Sequence, residues 1–176
     1  MGKQYKTISA KIAEFITAQK MLFLASCCGK EVNISPKGYD CFRVLDESTA
    51  LYMDHPGSGN RLARDISGGG EVTVMFCSFE GAPKIIRLFC DGDLVEKSDP
   101  RFDGLKQEHF EQVPAENIRR LVWLNVYAVE DSCGFGVPYF SYTGERGELR
   151  DWIDKAKAGG KLEEYISTHS EPVKLR

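Results

Sequence analysis

The stretch LYMDHPGSGNRLARDI, residues 51–66, sets Gly57-Ser58-Gly59-Asn60 between an apolar run and an amphipathic helical pattern. Two glycines permit left-handed backbone and let a ligand approach the main chain closely. The helix start that follows offers unpaired N–H groups and partial positive charge to an anion such as a phosphate. Ser58 is equally a favoured N-cap residue. The turn therefore reads either as a phosphate cradle or as a plain helix start with Leu62, Ala63 and Ile66 facing inward. Two familiar phosphate motifs are absent: no G-x-x-x-x-G-K-[ST] run occurs, and Leu62 stands where G-x-G-x-x-G needs its third glycine.

Two more groups of residues could do chemistry. In VNISPKG, alternation puts Asn33, Ser35 and Lys37 on one strand face and Val32 and Ile34 on the other. Pro36 marks an edge strand or a bulge. The polar face suits either solvent or a ligand. Arg87 interrupts the apolar run KIIRLF, where a buried arginine needs a partner, and an anionic or electron-rich group would serve.

Other candidates are weaker. No carboxylate pair, Ser/His/Asp set or activated cysteine emerges, so no catalytic residue is assigned. His55, His109 and His169 stand apart from one another, and no metal site is expected. The six cysteines contain no C-x-x-C pair; those inside apolar runs read as small buried hydrophobes, and Cys133 in SCGFGVP as a buried structural thiol. A thiol sensor built on Cys27-Cys28 lacks a basic neighbour. Arg119-Arg120, in IRR, reads as part of a solvated face.

The elements that must position these residues follow from periodicity. Ile8, Ile12, Phe15 and Ile16 make one helical stripe over 7–20. MLFLASC and EVNISPKG flank a hairpin turn at Cys28-Gly29-Lys30, and CFRVLDE and TALYMD flank Asp46-Glu47-Ser48. EVTVMFCSFE, PKIIRLFCDGDLVE and RLVWLNVYAVED are further strands, the last apolar on both faces and so expected to be buried on both sides. A helical piece lies around Arg101–Glu111. Leu149, Trp152, Ile153 and Ala156 share a face of a C-terminal helix, with a short second helix after Gly159-Gly160. Many short strands with few helices between them fit a mainly β fold with flanking helices, an antiparallel barrel and not β-α-β units. The expected division is a barrel domain over 1–132 and a helical extension over 133–176 packed on the same domain.

Composition narrows the function classes. With 176 residues, 42% hydrophobic and 28% charged, the chain is expected to be a single globular body. A net charge of −3 argues against binding a phosphate backbone, so no nucleic-acid partner is expected. No apolar run of about 18 residues occurs. The N-terminal pattern lacks a secretory apolar core, and a cytoplasmic place away from membranes is expected.

The order of the signals carries a resemblance: polar-faced strand, hairpin, Gly-Ser-Gly helix start, strand, arginine-bearing strand. Through VNISPKG, LYMDHPGSGNRLARDI, VTVMFCSF and IIRLFCDGDLV, about residues 7–132 resemble the pyridoxamine 5′-phosphate oxidase-like superfamily of FMN-binding split barrels. The tail from Cys133 is similar to that of an oxidase-related branch apart from the true oxidases. The resemblance implies an antiparallel split β-barrel and a homodimer with FMN between protomers. It implies cofactor contacts from Asn33, Ser35, Pro36 and Lys37 along the ring and ribityl chain. Met53, Asp54, Ser58, Gly59 and Asn60 would hold the phosphate end, and Arg87 would lie near the ring. The true oxidases carry an Arg-Lys pair where Gly59 and Asn60 stand, a glutamine at the place of Ile85, and an arginine-rich end where this chain has THSEPVKLR. Ser58, the amides of Gly59 and Asn60, Lys37 and Arg61 are then left to neutralise the phosphate. The implied function is an FMN-dependent oxidoreductase acting on a small-molecule redox substrate, and the alternative is a flavin- or haem-binding storage or sensor module.

Overall fold

The apolar patterns fold into one eight-stranded sheet with helices around it, as seen in a computed structural model that describes residues 2–169 and 172. Most of THSEPVKLR lies outside the described residues. In chain order the elements are β1 (Lys3–Tyr5), α1 (Ala10–Ala18), β2 (Leu22–Cys28), β3 (Glu31–Lys37), β4 (Phe42–Val44), β5 (Thr49–Asp54) and α2 (Arg61–Ser67). There follow β6 (Glu71–Cys77), β7 (Ile85–Val95), α3 (Phe102–His109), β8 (Arg120–Ser132), α4 (Glu148–Ala158) and α5 (Leu162–Thr168). The strands run β3-β2-β6-β7-β8-β5-β4, with β1 added to β8, and every pairing is antiparallel. This is a split barrel. The sheet does not close on itself, and β3 and β4 remain at its ends.

Local chemistry accounts for the elements that frame the site. Ser9 caps α1 by accepting the Ile12 N–H at 3.4 Å, and Ile8, Ile12 and Ile16 are buried in the core. A cap of this kind stabilises a helix by about 1 kcal/mol. The β2–β3 hairpin turns at Gly29, whose φ of +83° a side chain would strain. The core between sheet and helices is built from Leu24, Leu51, Tyr52, Ile86, Leu88 and Leu124. β5 is buried at every position because it lies between β4 and β8.

Three expectations need correction. β8 is not buried on both faces throughout: Asn125 and Tyr127 are exposed, and the Tyr127 hydroxyl donates to Glu71 at 2.8 Å on the outer face. Cys133 is exposed, because it follows the last residue of β8 where the chain leaves the sheet. Arg119 and Arg120 are buried and do not belong to a solvated face. The Pro36 reading as an edge holds, since β3 pairs only with β2. On that edge strand the polar side chains are the half-buried ones, and Val32 and Ile34 stand outward at 74% and 63% exposure. Among the described residues no helix is long and apolar enough to cross a membrane.

Candidate functional site

The Gly57–Asn60 turn links β5 to α2 and is held from behind. Arg119 Nη1 donates to the Gly59 carbonyl at 3.0 Å, and Nη2 donates to the Gly57 carbonyl. In a trans peptide the N–H points opposite to the C=O of the same unit. Pulling the Gly57 and Gly59 carbonyls inward therefore turns the Ser58 and Asn60 amides away from Arg119, toward the outer side of the turn. Ser58 and Gly59 are exposed, and a Cβ added at Gly59 would meet nothing within 4 Å. The outer side of the turn is open.

Ser58 is not the cap of α2. The helix begins at Arg61 with Asn60 in the N-cap position, and no side chain caps it. The Asn60 Oδ1 instead accepts from Arg120 Nη1 at 2.7 Å, a charged donor that outcompetes a helix amide. With seven residues, α2 has a small dipole. Attraction for an anion here must come from side chains and the turn's amides. Of the residues expected to face inward, Ala63 is buried and Leu62 and Ile66 pack half-buried on the core, while Asp65 is fully buried beside them.

The polar face of β3 meets α2 at one end. Asn33 Nδ2 donates to Ser26 Oγ at 3.2 Å, and that hydroxyl donates to Asp65 Oδ2 at 2.7 Å. Arg64 Nε donates to Asp65 Oδ1 at 2.8 Å, and Arg64 Nη1 to Glu31 Oε2 at 2.7 Å. Arg61 Nη1 stands 3.5 Å from the same Glu31 oxygen. A buried carboxylate survives only when paired and hydrogen-bonded, and Asp65 is both. Ser35, half-buried, comes next along this face, and Pro36 points outward.

At the other end Lys37 approaches the end of β5. Burial pushes the Asp54 carboxyl above its ordinary value, against the opposing charges of Lys37, Arg119 and Arg120. Asp54 also accepts from the Tyr52 hydroxyl at 3.3 Å, and its carbonyl takes the Arg119 N–H at 2.8 Å. Met53 is buried, and its N–H donates to the Cys41 carbonyl at 2.8 Å. β3 thus runs from Glu31, paired with Arg61 and Arg64 of α2, to Lys37, whose charge acts on Asp54 at the end of β5.

Arg87 bonds elsewhere. Its Nη1 donates to Glu130 Oε1 at 2.9 Å and to Ser132 Oγ at 3.0 Å, so the partner it requires is a carboxylate. Along β8, Arg120 pairs with Asp54 and Glu130 pairs with Arg87. Those ten residues span roughly 30 Å measured along the strand at about 3.3 Å each.

Beyond Lys37 lie two adjoining cavities. One, of about 290 Å³, is bordered by Lys37, Cys41 and Phe76. It shares Gln19, Lys20, Met21 and Tyr39 with a larger one of about 640 Å³, whose walls include Phe79, Phe140 and Tyr142. Tyr39 holds a left-handed φ of 62°, a conformation a bulky residue adopts only when its surroundings impose it. Its hydroxyl donates to the Arg146 carbonyl at 2.6 Å, and the Arg150 guanidinium covers its ring at 4.5 Å. Of the histidines, burial pulls His55 below its ordinary value and its Nδ1 lies 3.0 Å from the Asn117 carbonyl. His55 and His109 both border a third cavity of about 420 Å³, which shares Tyr39, Asp40 and Arg43 with the smaller one, and the His169 ring stacks on Tyr165.

Arg119, Arg120, Glu31 and Arg64 escaped the sequence reading. A signal existed for Arg120: alternation along RRLVWLNV places it with Val122 and Leu124 on one face.

No family model matches the chain. A pyridoxamine 5′-phosphate oxidase family protein of Aspergillus flavus, ustO, is 33% identical over 176 residues, 95% of this chain and 69% of that protein. The chain belongs to the pyridoxamine 5′-phosphate oxidase family. Solved structures place the fold in the same company at low identity. HupZ of Group A Streptococcus aligns at a TM-score of 0.54 and 18% identity, covering 68% of this chain and 89% of HupZ. The FAD-binding protein of Mycobacterium smegmatis aligns at 0.51 and 13%, covering 73% and 97%. HutZ, the haem storage protein of Vibrio cholerae, aligns at 0.50 and 18%, covering 68% and 89%. This member of the pyridoxamine 5′-phosphate oxidase family thus shares its split barrel with proteins described as binding a flavin and as storing haem.

Proposed function

We propose that the chain is an FMN-dependent oxidoreductase that works as a homodimer, with the cofactor between protomers. The observation that carries this reading is the Arg119-held turn, whose Ser58 and Asn60 amides are directed outward just before Arg61. The open space at Gly59 leaves room for a phosphoryl group there, which supports the reading. When bound, FMN supplies hydride or electron transfer, and the protein supplies placement and electrostatics. Asn33, Ser35, Pro36 and Lys37 would line the ring and ribityl chain, Met53 and Asp54 would back the phosphate end, and Lys37 would hold negative charge on the ring. No residue of the chain is assigned a proton-transfer role.

Two features support the dimer. Val32 and Ile34 expose apolar surface along an unpaired edge strand, which a second copy would cover. The separation of Arg87 from the turn lets the partner's copy of Arg87 approach the ring while this protomer holds the phosphate. The connected cavities beyond Lys37, walled by Phe79, Phe140 and Tyr142, offer the small-molecule substrate an apolar space next to that end of the cofactor. The six unbridged thiols suit a reducing compartment such as the cytoplasm.

The absorption spectrum of the purified full chain after incubation with FMN tests the reading. Flavin bands that co-elute with the protein and bleach with a nicotinamide donor support the enzyme. Bands that persist against every donor support a storage module, as does a Soret band after incubation with haem. A chain that retains neither ligand overturns both.

A further inference from the structure

Between β8 and α4 the chain runs as an arm, residues 133–147, that forms neither helix nor strand. Three bonds pin it to the barrel. The Phe140 N–H donates to the Phe79 carbonyl at 3.1 Å, the Tyr142 N–H donates to Glu80 Oε1 at 3.1 Å, and the Arg146 carbonyl accepts the Tyr39 hydroxyl at 2.6 Å. All six residues of these bonds border the cavity of about 640 Å³, together with Ala18 at the end of α1 and Lys20 just beyond it.

Rings and charges in this wall define what fits it. Tyr39, Phe79, Phe140 and Tyr142 present aromatic surface, and the Phe79 and Phe140 ring centres lie 5.4 Å apart. A cavity of this size with aromatic walls suits a small molecule that brings a ring of its own. Both carboxylates of the wall are engaged, Glu80 by the Tyr142 amide and Glu145 by Arg150 at 2.7 Å. The Arg146 guanidinium stands 3.7 Å from Glu148. Lys20 forms no ion pair among the described residues, and its ammonium lies 5.9 Å from the centre of the Tyr142 ring. The unbalanced charge of the wall is therefore positive.

We infer that this cavity takes a planar aromatic acid as the substrate, with its ring against Phe140 and Tyr142 and its carboxylate at Lys20. The inference rests on the flavin reading above, because the adjoining cavity shares Lys20 with this one and reaches Lys37, where the cofactor is proposed to lie. The arm supplies the selectivity. Phe140 and Tyr142 belong to none of the residues proposed to hold the cofactor, so the choice of substrate and the hold on the flavin are separable.

The test titrates the full chain with 2-naphthoate and with the neutral 2-naphthamide, following probe fluorescence, first without FMN and then after loading with FMN. Wild type should bind naphthoate saturably and about 2- to 5-fold more tightly than the amide, in keeping with one exposed ion pair. Lys20→Gln should abolish that preference and leave the amide unchanged. Phe140→Ala and Tyr142→Ala should each weaken both probes by about 2- to 10-fold, the scale of an aromatic contact. Both residues are exposed, so the variants should keep the wild-type melting temperature. Phe140→Leu and Tyr142→Leu, which keep bulk and remove the ring, replace either variant if it does not fold. No saturable binding by wild type, equal binding of the two probes, or arm variants that bind as wild type does overturns the inference. Naphthoate that binds without FMN and is lost on loading places the flavin itself in the cavity, and that also overturns it. A chain that takes up no FMN fails the flavin reading separately. Naphthoate binding that depends on Lys20 and the arm then still sustains the aromatic-acid site, and binding independent of them removes it.

Discussion

Arg119 and Gly59 are sixty residues apart, yet the Arg119 guanidinium, 2% exposed, donates to the Gly59 carbonyl at 3.0 Å. Its second donation, to Gly57, makes the turn a two-point attachment. Arg119→Met should therefore remove two charge-assisted bonds and leave Asp54 with one fewer counter-charge. The expected loss is about 3 kcal/mol of stability, read as a shift in the urea midpoint, together with loss of FMN binding. Arg119→Lys should restore less than half of either, because an ammonium cannot reach both carbonyls in a fixed fork. Full rescue by lysine would contradict this account of the turn.

Gly59→Glu separates fold from ligand. Space surrounds the Cβ position and the residue's φ lies outside the left-handed region, so the melting temperature should hold within the scatter of surface substitutions. The new carboxylate should repel a phosphate and weaken FMN binding by about 100-fold or more. A Gly59→Glu protein that stays yellow through gel filtration would show that the phosphate binds elsewhere.

On the proposed reading, Lys37→Ala removes one charge-assisted contact to the cofactor. The expected cost is about 1.5–3 kcal/mol of FMN affinity, or roughly 10- to 150-fold in a fluorescence titration. Wild-type affinity would remove Lys37 from the site.

Alkaline stability should report on two buried thiols. Burial pushes both Cys41 and Cys90 from 9.0 up to about 12. Between pH 9 and 12 the unfolded chain loses thiol protons that the folded chain keeps, so their stabilising contribution is complete below pH 9 and declines as pH rises through that window. Each thiol contributes up to about 1.4 kcal/mol per pH unit there. Urea midpoints at pH 7, 9 and 10.5 should stay level and then fall, with a shallower fall for Cys90→Ala. Iodoacetamide at pH 8 should label exposed Cys133 first and leave Cys41 and Cys90 unmodified.

Much of the frame was legible because it depends on short-range pattern. The helical stripe of Ile8, Ile12 and Ile16, the turn at Gly29 and the edge position of Pro36 each follow from residues within a few places of one another. The site was legible only where it obeys the same rule. Lys37 and Asn33 share a strand face and end up on the same side of the molecule. Ser58 failed as a cap because α2 starts later than local preference suggests and Arg120, distant in the chain, takes the Asn60 side chain. Arg119 and Arg120 looked solvated because adjacent cations usually are. Their actual partners are carbonyls and an amide some sixty residues away, and for Arg120 also the Glu96 carboxylate at 3.0 Å, none of which a local window contains. The bridge from Glu31 to Arg64 spans thirty-three residues and was hidden for the same reason.

The inward-facing carbonyls of Gly57 and Gly59 also bear on kinetics. Their peptide planes are set at folding, before any solute arrives, so little conformational freedom is left to lose when an anion docks. Such a preorganised receptor should show association rates that differ little among phosphorylated flavins, with the spread in their affinities arising in residence time.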